Sequence, residues 1–302
     1  MEYLHNDREQ FLEAINLVVY RTGISPEAVE KDYYVTMLLK KIAEKIPFIV
    51  FKGGTSLSKC HRVINRFSED IDLTIDTSIS QGQKKNVKET LVEIVKDFGL
   101  DILNLDDTRS RRDYNQYIIG YQSVLPTENA IVQPRVLIET SYTAISFPTE
   151  SLPVCNYIGD MMELEAPDFI EVYGLNPFNM KVQGLDRTLV DKVFAICDYY
   201  MQDKTQKHSR HIYDIYKIWP LLKKNEDLAD LIEDVRIVRR AAPICPSAQD
   251  GVSISKLLQE ITDKAVYKTD YQNITEGLLE ESIAYNKAAE VLKEIIESGV
   301  FR

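Results

Sequence analysis

The first residues that suggest chemistry are two aspartates, Asp70 and Asp72, in the string Arg66-Phe67-Ser68-Glu69-Asp70-Ile71-Asp72-Leu73. Residues 70–75 alternate acid or threonine with aliphatic side chains, the period of a strand. Side chains two apart on a strand point to one face, so the two carboxylates sit side by side. At about 5 Å and an effective dielectric near 20, two such charges repel by roughly 3 kcal/mol. A divalent cation, Mg²⁺ or Mn²⁺, offsets that repulsion by bridging carboxylate and phosphate oxygens. A pair of such ions can activate an attacking hydroxyl and steady a leaving pyrophosphate. The competing reading is an edge strand whose two acids simply face water.

A second feature lies sixteen residues before Asp70. Lys52-Gly53-Gly54-Thr55-Ser56-Leu57-Ser58-Lys59 follows a short apolar run at 48–51, which reads as a buried strand. Two glycines between a strand and a helix let a ligand approach the backbone without interference from Cβ. The amides at a helix start favour phosphate. Thr55 and Ser56 are placed to cap that helix or to bind the same oxygens. A Gly-Gly turn alone is equally a tight connection, and the Gly-x4-Gly-Lys-Ser/Thr spacing of a P-loop is absent. With the aspartates behind it, the turn favours the metal reading over the solvated edge.

The elements that must position these residues follow from periodicity. Helical patterns cover 7–22 and 26–46, the second opened by Ser25 and Pro26 in the order of an N-cap and first helical residue. Another amphipathic helix spans 83–98, and 114–124 and 134–142 read as strands. Glu139 is a lone acid at the end of an apolar run, either a third carboxylate for the site or a strand-end acid in solvent. Residues 151–184 carry several prolines and little periodicity and read as a junction. Helices are expected at 186–201, 209–223, 226–241, 253–264 and 273–297. The division is thus a mixed core with N-terminal helices over 1–150, a junction, and a helical domain over 185–302, an α+β chain.

Composition narrows the class. The chain has 302 residues, 44% hydrophobic and 27% charged, as in an ordinary globular protein. It lacks an apolar leader at residues 1–10 and any apolar run of about 18 residues, so neither secretion nor a membrane span is expected. Cys60, Cys155, Cys197 and Cys245 are scattered and read as reduced thiols of a cytoplasmic protein rather than a zinc site. A net charge of −11 argues against broad affinity for nucleic acid, and no DNA partner is expected. Basic clusters at 109–112, 204–211 and 236–240 remain either solvated faces or local patches for a polyanion.

The two motifs together resemble those of the AbiEii/AbiGii family of nucleotidyltransferase toxins, which includes the MenT toxins. The likeness is near-complete over 52–73 and extends more weakly to about residue 220, with Glu30-Lys31-Asp32-Tyr33-Tyr34 similar to the family's N-terminal helix. It implies a polymerase-β-like core followed by a helical part. Asp186-Arg-Thr-Leu-Val-Asp-Lys192 fits the family's third motif. The resemblance implies that Lys192 reaches nucleotide phosphates, where its position on the border of an apolar stripe suggests a snorkelling lysine. Asp186 is equally a helix N-cap. The fourth motif, Arg-Asp-x-x-Asp-Leu in relatives, is here Arg210-His211-Ile212-Tyr213-Asp214-Ile215, so a histidine replaces the first acid. Asp214 is retained, and its plainer reading is a pair with Arg210 one helical turn away.

The resemblance therefore implies an enzyme that transfers a nucleoside monophosphate from an NTP to an acceptor hydroxyl. Asp70 and Asp72 would hold Mg²⁺ or Mn²⁺, and Gly53, Gly54, Thr55 and Ser56 would cradle the triphosphate, with Arg66 and Ser68 as further contacts. Lys192, Glu139 and Asp214 complete the expected catalytic set. The implied acceptor is the 3′ end of tRNA and the implied partner a cognate antitoxin. The alternatives are nucleotidylation of a protein or small molecule, and a nucleotide-binding module that has lost turnover.

Overall fold

The computed structural model describes residues 2–66, 68, 70–126, 133–242 and 244–301. It divides into two compact units. The first comprises Met1–Cys60, Glu69–Thr143 and Thr149–Val182; the second comprises His61–Ser68, Ala144–Pro148 and Gln183–Arg302. Phe67 and Glu69 of the acidic motif lie outside the described residues.

The first unit is built on a sheet. Among the described residues its strands are β1 (Ile49–Lys52), β2 (Ile71–Ile75), β3 (Asp101–Ile102), β4 (Tyr114–Gly120), β5 (Arg135–Ile145), β6 (Thr149–Val154) and β7 (Phe178–Gln183). Their order is β3-β4-β5-β2-β1-β7-β6. β1 runs antiparallel to β2 and parallel to β7, so the sheet is mixed, in keeping with the α+β expectation. Ile49, Phe51, Ile71, Leu73, Tyr117, Ile119, Val136 and Ile138 occupy alternate strand positions and all join one core. Helices α1 (Arg8–Thr22), α2 (Pro26–Lys45) and α4 (Gln81–Asp97) add Phe11, Leu38, Leu91 and Ile94 to that core. A short helix, α3 (Gly53–Lys59), leaves β1 directly. The start signal read from Ser25 and Pro26 is real, since the Ser25 hydroxyl accepts from the Ala28 amide at 3.3 Å.

Two expectations change. Residues 151–184, read as a junction, carry most of β6, then α5 (Tyr157–Glu165), α6 (Pro167–Tyr173) and β7, and Thr149–Val182 falls in the first unit. The prolines misled because each occupies a place that regular structure tolerates. Pro167 opens α6, and Pro153 lies in β6 at the sheet edge. Thr55 and Ser56 do not cap α3. Its N-cap is Lys52, with no side-chain capping bond, and the Ser56 hydroxyl donates back to the Gly53 carbonyl at 2.9 Å.

The second unit is helical: α7 (Leu185–Met201), α8 (Arg210–Ile218), α9 (Glu226–Arg240), α10 (Ile254–Asp263) and α12 (Tyr285–Ser298), with the three-residue α11 (Lys268–Asp270) between the last two. Its interior includes Leu189, Val193, Ile215, Ile232, Leu258 and Leu292. The single helix expected over 273–297 is broken. A π-helical turn at Tyr271–Thr275 and a 3-10 turn at Glu276–Leu278 precede a stretch where Leu279 bridges Arg66 and the Glu280 amide donates to the Asn65 carbonyl. Strand-like pairing there withdraws the backbone from the helical ladder. Because Leu292 is fully buried where α12 packs on α8 and α10, Leu292→Ala should destabilise the helical unit by about 2–5 kcal/mol, read as a lowered urea midpoint.

Candidate active site

In the first unit the acidic pair is set by the β1–β2 ladder. Its register runs from Ile49↔Ile75 to Lys52↔Asp72. Asp70 immediately precedes β2, and both carboxylates belong to half-buried residues on the face opposite the aliphatic core. The register also sets Lys52 directly across from Asp72, a cross-strand pair of opposite charge that offsets part of the repulsion. Lys52 was not singled out from the sequence, because only the antiparallel register makes it a partner.

Gly53 and Asp72 are fitted to one another. Gly53 has φ +79, a conformation that side chains disfavour, and an added Cβ would stand 1.9 Å from Asp72 Oδ2. The glycine is therefore required twice, for its backbone angle and for the space the carboxylate occupies. Gly54 follows in the first turn of α3, with Thr55 and Ser56 buried behind it.

Glu139 lies on β5, the strand beside β2, on a half-buried position in register with Gln116 of β4. The Gln116 amide donates to Glu139 Oε1 at 2.8 Å. Tyr114, two residues along β4, faces the same way and is half exposed. Burial, then Glu139 beside its hydroxyl, then Asp72 and Asp70, push the Tyr114 phenol up to about 12. The phenol thus senses all three acids. Tyr114 carried no signal in the sequence, where it was one aromatic among seventeen tyrosines. Among the described residues no group of three His, Cys, Asp or Glu side chains is assembled closely enough to hold a metal ion by itself.

The second unit holds a separate charged centre. Arg66 grips Asp214 in a two-point fork, Nε to Oδ1 and Nη2 to Oδ2, both 2.7 Å. Lys192 donates to Asp214 Oδ2 at 2.6 Å. The side chains of Arg66, Lys192 and Asp214 are 2%, 8% and 0% exposed. The partner of Asp214 is therefore not Arg210 but a residue 148 positions away. Burial opposes ionisation of Asp214, yet Arg66 and Lys192 outweigh it and hold the carboxyl well below its ordinary range. Burial lowers the Lys192 pKa, which Asp214 only partly restores. Asp186 is not the cap of α7, which is Gly184; its Oδ1 accepts from the Arg187 amide at 2.7 Å. Ser68 belongs to this unit and is half-buried.

His211 borders this centre. Its pKa falls well below the usual histidine value, through burial first and then Lys192. Its Nδ1 is enclosed without a hydrogen-bond partner. Its ring lies parallel to those of Tyr199 and His208, which stack on each other at 3.5 Å. Of the basic clusters, Arg109, Arg111 and Arg112 and then Lys204, Lys207 and Arg210 are exposed, whereas Arg239 turns inward to Asp191 and Asp198 and Arg236 is buried. The stretch at 236–240 is thus largely internal wiring rather than a basic face.

A mixed sheet presenting paired acids beside a glycine turn, in a chain with these four motifs, marks a nucleotidyltransferase. The chain belongs to the AbiEii family of nucleotidyltransferase toxins from type IV toxin–antitoxin systems, which matches residues 38–293. Its fold is similar to MenT4, a nucleotidyltransferase toxin from Mycobacterium tuberculosis H37Rv, at 15% identity and a TM-score of 0.46 over 95% of this chain and 97% of that one. No curated protein sequence matches. Among the described residues no helix is long and apolar enough to cross a membrane.

Two outcomes follow. Gly53→Ala should cost more than about 1 kcal/mol of stability, because φ is positive there, and should lower nucleotide transfer by about 100-fold through displacement of Asp72; denaturation and transfer assays check each part. The second concerns pH. His5, His208 and His211 are all held below the usual value, first of all by burial. As pH falls below about 6.5 the unfolded chain takes up protons that the folded chain refuses, so stability declines toward low pH, by up to about 1.4 kcal/mol per pH unit for each group that stays neutral. His211→Asn should make that decline shallower in denaturation measured between pH 7 and 5.

Proposed function

We propose that this nucleotidyltransferase transfers a nucleoside monophosphate from an NTP to the 3′ end of tRNA, with Mg²⁺ at Asp70 and Asp72, and that it works as a cytoplasmic toxin held in check by its antitoxin. The observation that carries the metal assignment is the placement of Asp72 against Gly53, opposite Lys52 on the sheet's polar face. Two half-buried acids suit Mg²⁺, which keeps water and substrate oxygens in its shell rather than a full protein cage. When bound, the ion supplies charge neutralisation for the phosphates and activation of the acceptor hydroxyl.

The remaining work falls to the chain's own groups. Gly53 and Gly54 leave the backbone open to phosphate, and Thr55 and Ser56 shape the turn from behind. Glu139, fixed on one oxygen by Gln116, keeps the other for the proton of the acceptor hydroxyl. In the second unit Asp214 orients Lys192 as a phosphate cation. Arg66 acts in this reading through Asp214, to which both ends of its fork are committed, more than as a direct triphosphate contact. Ser68 remains a proposed contact of the triphosphate. Phosphoryl transfer of this kind depends on positioning and electrostatics more than on covalent chemistry.

The test is incubation of the protein with each α-labelled NTP, Mg²⁺ and total tRNA. Label should appear on the tRNA 3′ end, and Asp70→Asn or Asp72→Asn should reduce it by at least about 100-fold, as should chelation of the metal. Label on other proteins or small molecules would replace the acceptor while keeping the enzyme class. Tight NTP binding without pyrophosphate release from any mixture would overturn the reading.

A further inference from the structure

The feature not used by the proposed function is Tyr114. An acceptor hydroxyl for nucleotidyl transfer must lie on the carboxylate face, stand next to a group that can take its proton, and be open to an incoming NTP. Tyr114 meets each requirement within the first unit. It faces the same side of the β4–β5 ladder as Gln116 and Glu139, and sits across from Ser141, two residues beyond Glu139 on β5. A tyrosine at such a diagonal position reaches its neighbour across the strand. The Gln116 amide occupies Glu139 Oε1, which leaves the second oxygen for the phenol. Among the described residues one strand, β5, separates β4 from the Asp72 strand, and the charges of Asp72 and Asp70 reach the phenol behind that of Glu139. Tyr114 is 51% exposed, so about half of its surface is open to an incoming nucleotide.

We propose that Tyr114 is a self-acceptor: the enzyme nucleotidylates its own Tyr114 hydroxyl, a modification that rests on the NTP-dependent activity proposed above. The phenolic oxygen forms a bond to the α-phosphorus of the NTP. The bond from that phosphorus to the bridging oxygen of the β-phosphate breaks, and pyrophosphate leaves with the electron pair. The phenolic proton passes to Glu139. The products are an O-(nucleoside 5′-phosphoryl) tyrosine and pyrophosphate, and no further reactant is needed. The adduct places a nucleotide over the carboxylate face, so the reaction limits itself to one turnover per chain and blocks further transfer from that molecule.

The experiment uses the full-length protein without added acceptor, incubated with each α-labelled NTP and Mg²⁺, and then with unlabelled NTP for intact mass and tandem mass spectrometry. The expected result is one added nucleoside monophosphate per chain, mapped to Tyr114. The label should be absent from Tyr114→Phe, with folding checked by circular dichroism, and from Asp72→Asn. Mapping on the unmutated chain makes the result independent of how well the variants fold. Pyrophosphate release or label on tRNA with Tyr114 unmodified overturns the self-acceptor and leaves the proposed function standing. Label at another residue also overturns it. Absence of pyrophosphate with every NTP and acceptor removes both.

Discussion

The repulsion between Asp70 and Asp72 is the constraint to which the first unit answers. Two carboxylates on one face of a strand oppose each other by a few kcal/mol, a sizeable fraction of what holds a domain together. The sheet keeps them there with a rigid apolar underside, in which Ile71 and Leu73 alternate with the acids and anchor β2 in the core. Lys52 answers across the ladder, and Gly53 gives up its side chain so that Asp72 can lie against the turn. Glu139 adds a third negative group from the neighbouring strand, and its orientation is fixed by an amide rather than by a cation.

The second unit has the opposite imbalance. Arg66 and Lys192 share the single carboxylate of Asp214, with all three side chains nearly or fully out of water. Desolvating three charges for two ion pairs is seldom the most stable use of a core, since apolar side chains of similar volume often do as well or better. The cluster is therefore no simple gain in stability, and its surplus is one positive charge. His211 enlarges the effect. The family's acid at that place would cancel the surplus, whereas a histidine that burial and Lys192 keep neutral leaves it intact. The departure from the family pattern is thus a change of local charge by one unit.

How much of this could be read from residues alone depends on the range of the interaction. The strand periods of 70–75 and 114–124, the Ser25 cap and the glycine turn are local, and the structure places strands at Ile71–Ile75 and Tyr114–Gly120, close to those expectations. What failed was also physical. Prolines at the opening of α6 and on the edge strand β6 looked like breaks, because sequence does not say which backbone amides need a partner. The final helix seemed continuous, because the pairing of Leu279 with Arg66 joins residues more than two hundred positions apart. Asp214 has a plausible partner one turn away in Arg210, and only the folded chain shows it bound to Arg66 and Lys192. Lys52 and Tyr114 became part of the site through register, which a single sequence does not display.

The overall charge bears on which acceptors suit such a site. At −11 the whole-molecule field opposes any long polyanion, and part of the apparent basic content is consumed internally, with Arg239 neutralised by Asp191 and Asp198. Exposed cations stand on separate stretches of the chain, among them Arg109, Arg111 and Arg112 and then Lys204, Lys207 and Arg210. Affinity for nucleic acid scales with the number of phosphates neutralised, so what such local patches gain is lost as salt rises. Any polyanion must therefore engage one local patch against the field of the whole molecule.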